Sequence, residues 1–351
     1  MPTVRWLCPL NNEWRHSIAK PVLMSCPESS VPSDKQAVDT EFAQSVLDGL
    51  SSEPRTLSSR YFYDERGDKL FQSIMSSPEY YLTDCEFEIL SEQGDEIARE
   101  LLSVGPGEFI ELGSGDGQKV GFLLDALHRQ ATDWTFRPVD ISDHSLELLA
   151  DNLMPSRPWL QLDPIHGNYF DVLESLKPGE TRRVLMFLGS NLGNFGDQGS
   201  VEFLRRVRSA MAPGDALLIG LDLKKDPDVI RAAYNDAAGY TRDFNLNLLA
   251  RINRELGGDF NPRQFLHQPE YDPESGAARS FLVSRQEQTV KIDALEQSFE
   301  FTNGERIFME VSQKFDEAII GNLCLQAGFS PARAFYDRRH WFTDQVWHAI
   351  E

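Results

Sequence analysis

The chain of 351 residues carries 34 basic against 55 acidic side chains, a net charge of −21, with 41% hydrophobic and 25% charged residues. This is the make-up of a globular protein with one large or two ordinary domains, and its acidity argues against nucleic acid or an anionic membrane as the main partner. The four cysteines (Cys8, Cys26, Cys85, Cys324) have no paired spacing and read as reduced cytosolic thiols. No run is apolar enough to span a membrane, and the dispersed histidines suggest no metal site.

In chain order, residues 1–35 are punctuated by Pro21, Pro27 and Pro32 and are expected to form a poorly ordered lead, with Met24 as an alternative start. Phe42, Val46, Leu47 and Leu50 predict an amphipathic helix over 37–50. Residues 60–67 are aromatic and turn-like, a short helix is expected at 70–75, and a longer one at 84–103. Strands at 109–112, 134–141, 160–166, 183–188 and 215–222 then alternate with helices at 118–129, 143–154 (Ser142 as N-cap) and 199–211. That alternation predicts a doubly wound, mostly parallel α/β sheet. It stops near Asp222: residues 226–256 read as helices, 279–301 as strands and 304–314 as a short helix. A helix near 317–327 and strands near 333–337 and 344–350 resume the sheet. The pattern predicts a lobe of residues 36–84 and 223–314, inserted between the fifth and sixth strands of a domain of residues 85–222 and 315–351.

The stretch Phe109-Ile110-Glu111-Leu112-Gly113-Ser114-Gly115-Asp116-Gly117-Gln118-Lys119 reads as a buried strand, a glycine-rich turn and the first turn of a helix. A phosphate loop needs glycine directly before the lysine, and a dinucleotide fingerprint needs glycine at position 118; Gln118 removes both. The remaining pattern, E-x-G-x-G-x-G, resembles the first motif of S-adenosylmethionine-dependent methyltransferases, whose cofactor has no phosphates. Such a site needs an acid at the end of the next strand for the ribose hydroxyls, and Asp140 stands there.

Several stretches then converge on one family. Tyr61-Phe62-Tyr63-Asp64, Pro78-Glu79-Tyr80-Tyr81, Glu111 to Gly115, Phe187-Leu188-Gly189-Ser190 with Gly193-Asn194, Ala233 to Gly239, and Glu310-Val311-Ser312-Gln313-Lys314-Phe315 together resemble the histidine-specific Nα-methyltransferases of ergothioneine biosynthesis. The resemblance runs in order from about residue 40 to the end of the sequence. It implies a class I, Rossmann-like methyltransferase domain with an inserted α+β substrate-binding lobe, a monomer, and stepwise methylation of histidine to its trimethylammonium betaine, S-adenosylhomocysteine being the by-product. The chemistry is an in-line displacement in which holding the two reactants together supplies about 7–11 kcal/mol of a barrier.

By that resemblance Gly113, Lys119 and Asp140 contact the cofactor, Tyr80 joins them, and Asn168 and Tyr169 flank its adenine, where the family commonly has an acid and a phenylalanine. Asn194 and Tyr234 hydrogen-bond the substrate carboxylate, Tyr63 sits beside its amino group, and the Gly189 backbone helps place it. Glu310 and Ser312 grip the imidazole. Where the family places methionine against that ring, this sequence has Ser280, or Phe281 if the register slips by one. The residues alone leave plainer readings open: Tyr63, Tyr80 and Tyr234 as ordinary buried tyrosines, Asn194 as a turn cap, Glu310 and Ser312 at an exposed helix end, Lys119 as a solvated side chain. Tyr61, Arg66, Asn245 and Asn247 read as structural. Two further readings stay open, the same chemistry on another aromatic or modified histidine, and a cofactor-binding protein without catalysis; a dehydrogenase is the most distant.

Overall fold

The computed structural model describes residues 39–351 apart from 104, 106 and 180, so the lead expected at 1–35, with Cys8 and Cys26, lies outside the described residues. Helix α1 (Thr40–Ser51) and a two-residue strand β1 (Arg55–Thr56) precede helices α2 (Glu65–Met75) and α3 (Tyr81–Leu102). Strands β2 (Gly107–Leu112), β3 (Thr135–Asp140), β4 (Ile165–His166), β5 (Arg182–Phe187) and β6 (Ala216–Asp222) alternate with helices α4 (Val120–Gln130), α5 (Asp143–Leu153), α6 (Tyr169–Ser175) and α7 (Gly196–Ser209). Helices α8 (Pro227–Ala233) and α9 (Tyr240–Leu256) lead to strands β7 (Phe265–Asp272), β8 (Ala277–Ser284), β9 (Gln288–Ile292), β10 (Gln297–Phe301) and β11 (Arg306–Gln313). Helix α10 (Glu317–Gln326) and strands β12 (Phe329–Tyr336) and β13 (Phe342–Ala349) come last.

The larger sheet has seven strands in the order β12-β13-β6-β5-β2-β3-β4. Its five central and edge strands from β6 to β4 pair in parallel, while β13 runs antiparallel to both β6 and β12. Parallel strands need cover on both faces, and two apolar clusters supply it: Phe109, Leu123, Val184 and Leu218 lie in one, and Ile110, Leu185, Phe203 and Leu217 in the other. Successive strands step outward from β2 to one side and from β5 to the other. The order therefore reverses between β2 and β5, and a crevice opens beyond their carboxyl ends, the place where open α/β sheets bind ligands. This strand order, with one antiparallel member, makes the domain a class I methyltransferase fold.

Between β6 and α10 the chain leaves the large sheet to build a second one, ordered β1-β11-β8-β7, and a β9–β10 hairpin. It returns where it left: Leu223 and Phe315 form a parallel bridge, and the Phe315 amide donates to the Asp222 carbonyl at 2.8 Å. The second sheet packs its own core, in which Phe42 and Phe62 meet Phe244, Leu282 and Ile307. Among the described residues no helix is long and apolar enough to cross a membrane.

Three expectations need correction. The helix expected at 304–314 is strand β11, whose pairing with β8 shifts register between Phe308 and Glu310; that bulge breaks the period-two alternation by which a strand is recognised. The strand expected at 160–166 shrinks to Ile165–His166 with one isolated bridge at Leu162, Pro164 removing a ladder donor between them. The turn expected through residue 67 ends earlier, because the Asp64 carboxylate accepts from the Gly67 amide at 2.7 Å and so starts α2 at Glu65.

Candidate active site

The glycine-rich turn leaves β2 with Gly113, Gly115 and Gly117 at φ of 73°, 57° and 71°, a left-handed region that side chains with a Cβ adopt at a cost. A Cβ at Gly117 would stand 2.8 Å from Leu149 Cγ, whereas one at Gly115 would meet nothing within 4 Å. Gly117 is thus required by packing, and Gly115 opens a cradle. The Gly115 amide donates to Asp140 Oδ2 at 3.0 Å, and the Ser142 amide to Asp140 Oδ1 at 3.0 Å. Burial pushes Asp140 up despite those bonds. Asn168 caps α6, its Oδ1 accepting from the Phe170 amide at 3.0 Å, and Tyr169 packs edge-on to Phe187 with centroids 5.9 Å apart. Glu111 Oε2 is buried without a hydrogen-bond partner, and burial drives its carboxyl well above the ordinary range.

Lys119 faces inward rather than into solvent. It pairs with Glu86 of α3, whose other oxygen accepts from the Gly189 amide at 2.6 Å. Burial draws the Lys119 ammonium down, but Glu86 and Glu111 outweigh it and the net shift is upward. Gly189 and Ser190, with φ of 77° and 60°, form a strained turn at the end of β5, and the Asp222 amide fixes it by donating to Ser190 Oγ at 3.0 Å. The Asn191 amide bridges the two loops: a Cβ at Gly113 would lie 3.7 Å from its Nδ2, and one at Gly189 3.5 Å.

Beyond Asn191 a narrow cavity brings together Tyr63, Tyr80, Gly189, Asn194, Tyr234, Glu310 and Ser312. Strand geometry explains the last pair. Residues two apart on a strand share a face, whereas on the helix expected there they would point to opposite sides. Tyr63 is 40% exposed by area and lines the cavity. Burial raises Tyr63, Tyr80 and Tyr234 well above 10, so all three are neutral hydroxyls. Glu310 is also pushed up by burial, against the side-chain bonds it receives from Asn245 and Ser280.

Ser280 lies directly across the ladder from Glu310. It is 1% exposed and does not line the cavity; its Oγ is 3.4 Å from His267 Nε2. As the partner of Glu310 across the antiparallel ladder, Ser280 lies on the same face of the sheet, beside Glu310 and bonded to it. Phe281 points the other way, under the Arg306 guanidinium at 3.6 Å.

Lys314, Asp222 and Glu86 carry no role in the sequence reading, yet the structure places them against the site residues. Lys314, fully buried, donates to Tyr234 Oη at 2.6 Å, to Ser312 Oγ at 2.8 Å and to Asp222 Oδ2 at 2.7 Å. Asp222 also accepts from Tyr81 Oη at 2.8 Å and pairs with Lys225. Burial alone would raise Asp222, but the two ammonium groups hold it below the ordinary carboxylate range. Burial outweighs Asp222 and lowers Lys314, while its three acceptors at 2.6–2.8 Å, one of them a carboxylate, favour the ammonium form. Asn245, read as structural, donates from Nδ2 to the Thr241 carbonyl at 3.0 Å and also reaches Glu310 Oε1 at 3.4 Å. Glu86 and Asn245 do leave a signal in the sequence, since each is a polar residue on the apolar stripe of its helix, beside Ile89 and Leu90 or Leu248 and Leu249.

A larger groove of about 870 Å³ between α7 and α10, lined by Arg205, Lys224 and Asn322, holds none of these residues and lies away from the crevice at β2 and β5. The polar cavity is the candidate site because, among the described residues, it joins buried ionisable groups to that crevice.

A sequence model of the family described as "Histidine-specific methyltransferase, SAM-dependent" matches residues 42–349. A "Histidine N-alpha-methyltransferase" of Mycolicibacterium smegmatis is 35% identical over 300 residues, 85% of this chain and 90% of that one. One of the same description from Mycobacterium tuberculosis is 34% identical over 86% of this chain and 90% of its own length. A "4-dimethylallyltryptophan N-methyltransferase" of Claviceps fusiformis is 27% identical over 83% of this chain and 87% of its own.

Proposed function

We propose that this chain, which belongs to the family of S-adenosylmethionine-dependent, histidine-specific methyltransferases, methylates the α-amino group of L-histidine three times, giving Nα,Nα,Nα-trimethylhistidine. It is an amino-acid N-methyltransferase whose substrate is a small molecule. The observation that carries the reading is the single cavity in which Glu310, Ser312, Tyr234 and Asn194 stand beside the crevice of a methyltransferase sheet.

The residues at the glycine turn suit the cofactor. The open position at Gly115 is a cradle that a Cβ would fill, Asp140 keeps lone pairs free for hydroxyls, and the orphaned Glu111 oxygen leaves a polar atom without a hydrogen-bond partner next to the turn. Gly113, Lys119 and Asp140 would hold it, with Tyr80 from the side and Asn168 and Tyr169 at the adenine. When bound, S-adenosylmethionine supplies a methyl group already activated on a sulfonium. The chain's own work is to orient the amine once its proton has left to solvent, since an ammonium has no lone pair to attack with. Tyr63, neutral, would accept a hydrogen bond from the amine and then face the growing cation with its ring. Asn194 and Tyr234 would hold the carboxylate; Glu310 would accept from the ring N–H and Ser312 would donate to the other ring nitrogen. The lobe built on the second sheet, with residues 36–84 and 223–314, serves as the substrate-binding unit. We read the enzyme as a cytoplasmic monomer, a setting that suits the free, buried thiols of Cys85 and Cys324.

Mass spectrometry of the purified protein with S-adenosylmethionine and a mixture of the common amino acids tests this. Histidine gaining one, two and then three methyl groups, the others untouched, is the expected result. Methylation of a different amino acid would overturn the substrate and keep the chemistry. Cofactor binding without any methylated product would overturn the enzyme itself.

A further inference from the structure

We infer that Lys314 is a positioning residue: its buried ammonium holds the Tyr234 and Ser312 oxygens as acceptors, so that their hydroxyl hydrogens are directed at the substrate. The inference rests on the function proposed above and adds a group that touches neither reactant.

An ammonium has three N–H donors and no lone pair. Those of Lys314 go to Asp222 Oδ2 at 2.7 Å, Tyr234 Oη at 2.6 Å and Ser312 Oγ at 2.8 Å. The two hydroxyl oxygens are also 2.8 Å from each other, so one hydroxyl hydrogen bridges them. The second can be given neither to Lys314, which accepts nothing, nor back along the bridge. It points into the cavity that both residues line. A ligand acceptor that draws the bridging hydrogen away leaves both oxygens satisfied by Lys314, and then both hydroxyls donate outward. The fitting ligand presents two acceptors there, a carboxylate oxygen and an unprotonated ring nitrogen, and an N–H towards Glu310.

Charge supports the same polarity. Lys314 and Lys225 both face the Asp222 carboxylate, so hydrogen-bond donors gather at this end of the cavity while the Glu310 carboxyl lines it further along. Lys225 is spent on Asp222, Tyr81 Oη and the Leu223 carbonyl, and only Lys314 reaches the substrate-facing hydroxyls. Replacing it with an apolar residue would leave Asp222 paired with Lys225 and Tyr81, but would free the hydroxyls to turn lone pairs towards the ligand carboxylate.

The test is calorimetric titration of histidine into protein saturated with S-adenosylhomocysteine, for wild type, Lys314→Met, the double variant Tyr234→Phe/Ser312→Ala and the triple variant. Losing hydrogen bonds oriented by a charged group weakens histidine binding about 10- to 100-fold in Lys314→Met, with S-adenosylhomocysteine affinity held within about twofold. In the background lacking both hydroxyls, the same replacement costs less than about threefold, because nothing remains to be oriented. A merely structural lysine costs the same in both backgrounds, and that additivity, or an unweakened Lys314→Met, overturns the inference. Wild type that binds no histidine overturns the proposed function as well, which separates the two failures. If Lys314→Met does not fold, the ammonium is read in wild type by ¹⁵N resonance of the lysine side chains. The buried ammonium signal that Ser312→Ala displaces must also move when histidine is added, and an unmoved signal overturns the role.

Discussion

Replacing Glu310 with glutamine changes one charge and almost no volume, and the structure gives the two consequences opposite signs. In the free protein the Glu310 carboxyl lines the cavity; of its two side-chain partners, Asn245 and Ser280, Asn245 Nδ2 is at a long 3.4 Å, a weak bond by geometry. Burial therefore raises its pKa. Below the ordinary carboxylate range Glu310 is protonated in folded and unfolded chains alike. As pH rises past that range the unfolded chain ionises first, so the fold loses stability until the folded-state value is passed. The glutamine variant escapes this loss: Glu310→Gln should match wild type at acid pH and equal or exceed it at pH 7. Substrate recognition moves the other way. A charge-assisted bond to a ring N–H becomes a neutral one, a loss of about 1–2 kcal/mol, or about 5- to 30-fold in kcat/KM for histidine. Steady-state kinetics at saturating S-adenosylmethionine and urea unfolding at pH 4 and 7 measure both. Unchanged kcat/KM, or a variant less stable than wild type at pH 7, would refute the assignment of Glu310 as the ring acceptor.

The glycine turn and the second sheet supply two more outcomes. Gly117→Ala places a Cβ 2.8 Å from Leu149 Cγ at φ 71° and should cost about 2–5 kcal/mol in urea unfolding, about 1–2 of it backbone strain and about 1–3 overpacking. Gly115→Ala, facing open space, should cost about 1–2 kcal/mol of backbone strain and show its larger effect as weakened cofactor binding in calorimetry; equal stability losses for the two would contradict the division into packing and cradle glycines. Burial lowers His267 to about 4 from 6.5, so the folded chain keeps it neutral while the unfolded chain takes up a proton. Stability is then lost as pH falls from the ordinary histidine value towards 4, and His267→Gln should remove about 2 kcal/mol of the drop between pH 7 and 5. Unfolding curves at the two pH values check this, and an unaltered drop would mean that His267 is not the group responsible.

Local order was written in the chain. Three glycines at alternate positions after an apolar run can only turn, Asp140 follows at the next strand's end, and Ser142 caps its helix by accepting from the Ser145 amide at 3.2 Å. These depend on neighbours within a few residues, which is the range over which backbone sterics and periodicity act. The family's motifs added the list of residues that meet at the cavity, from Tyr63 to Ser312. Residues 304–314 resemble a helix for a local reason too: a bulge at Phe308/Glu310 and the buried polar residues Ser312, Gln313 and Lys314 look like an exposed helix when their partners are unseen. Those partners only the tertiary structure supplied. Lys314 meets Tyr234 across 80 positions, Glu86 meets the Gly189 amide across 103, and Asn245 meets Glu310 across 65. A buried charge is tolerable only where the fold brings it a counter-charge and acceptors. No local pattern records which distant residue that is, so sequence could name the groups that face the substrate, and folding alone decided which groups stand behind them.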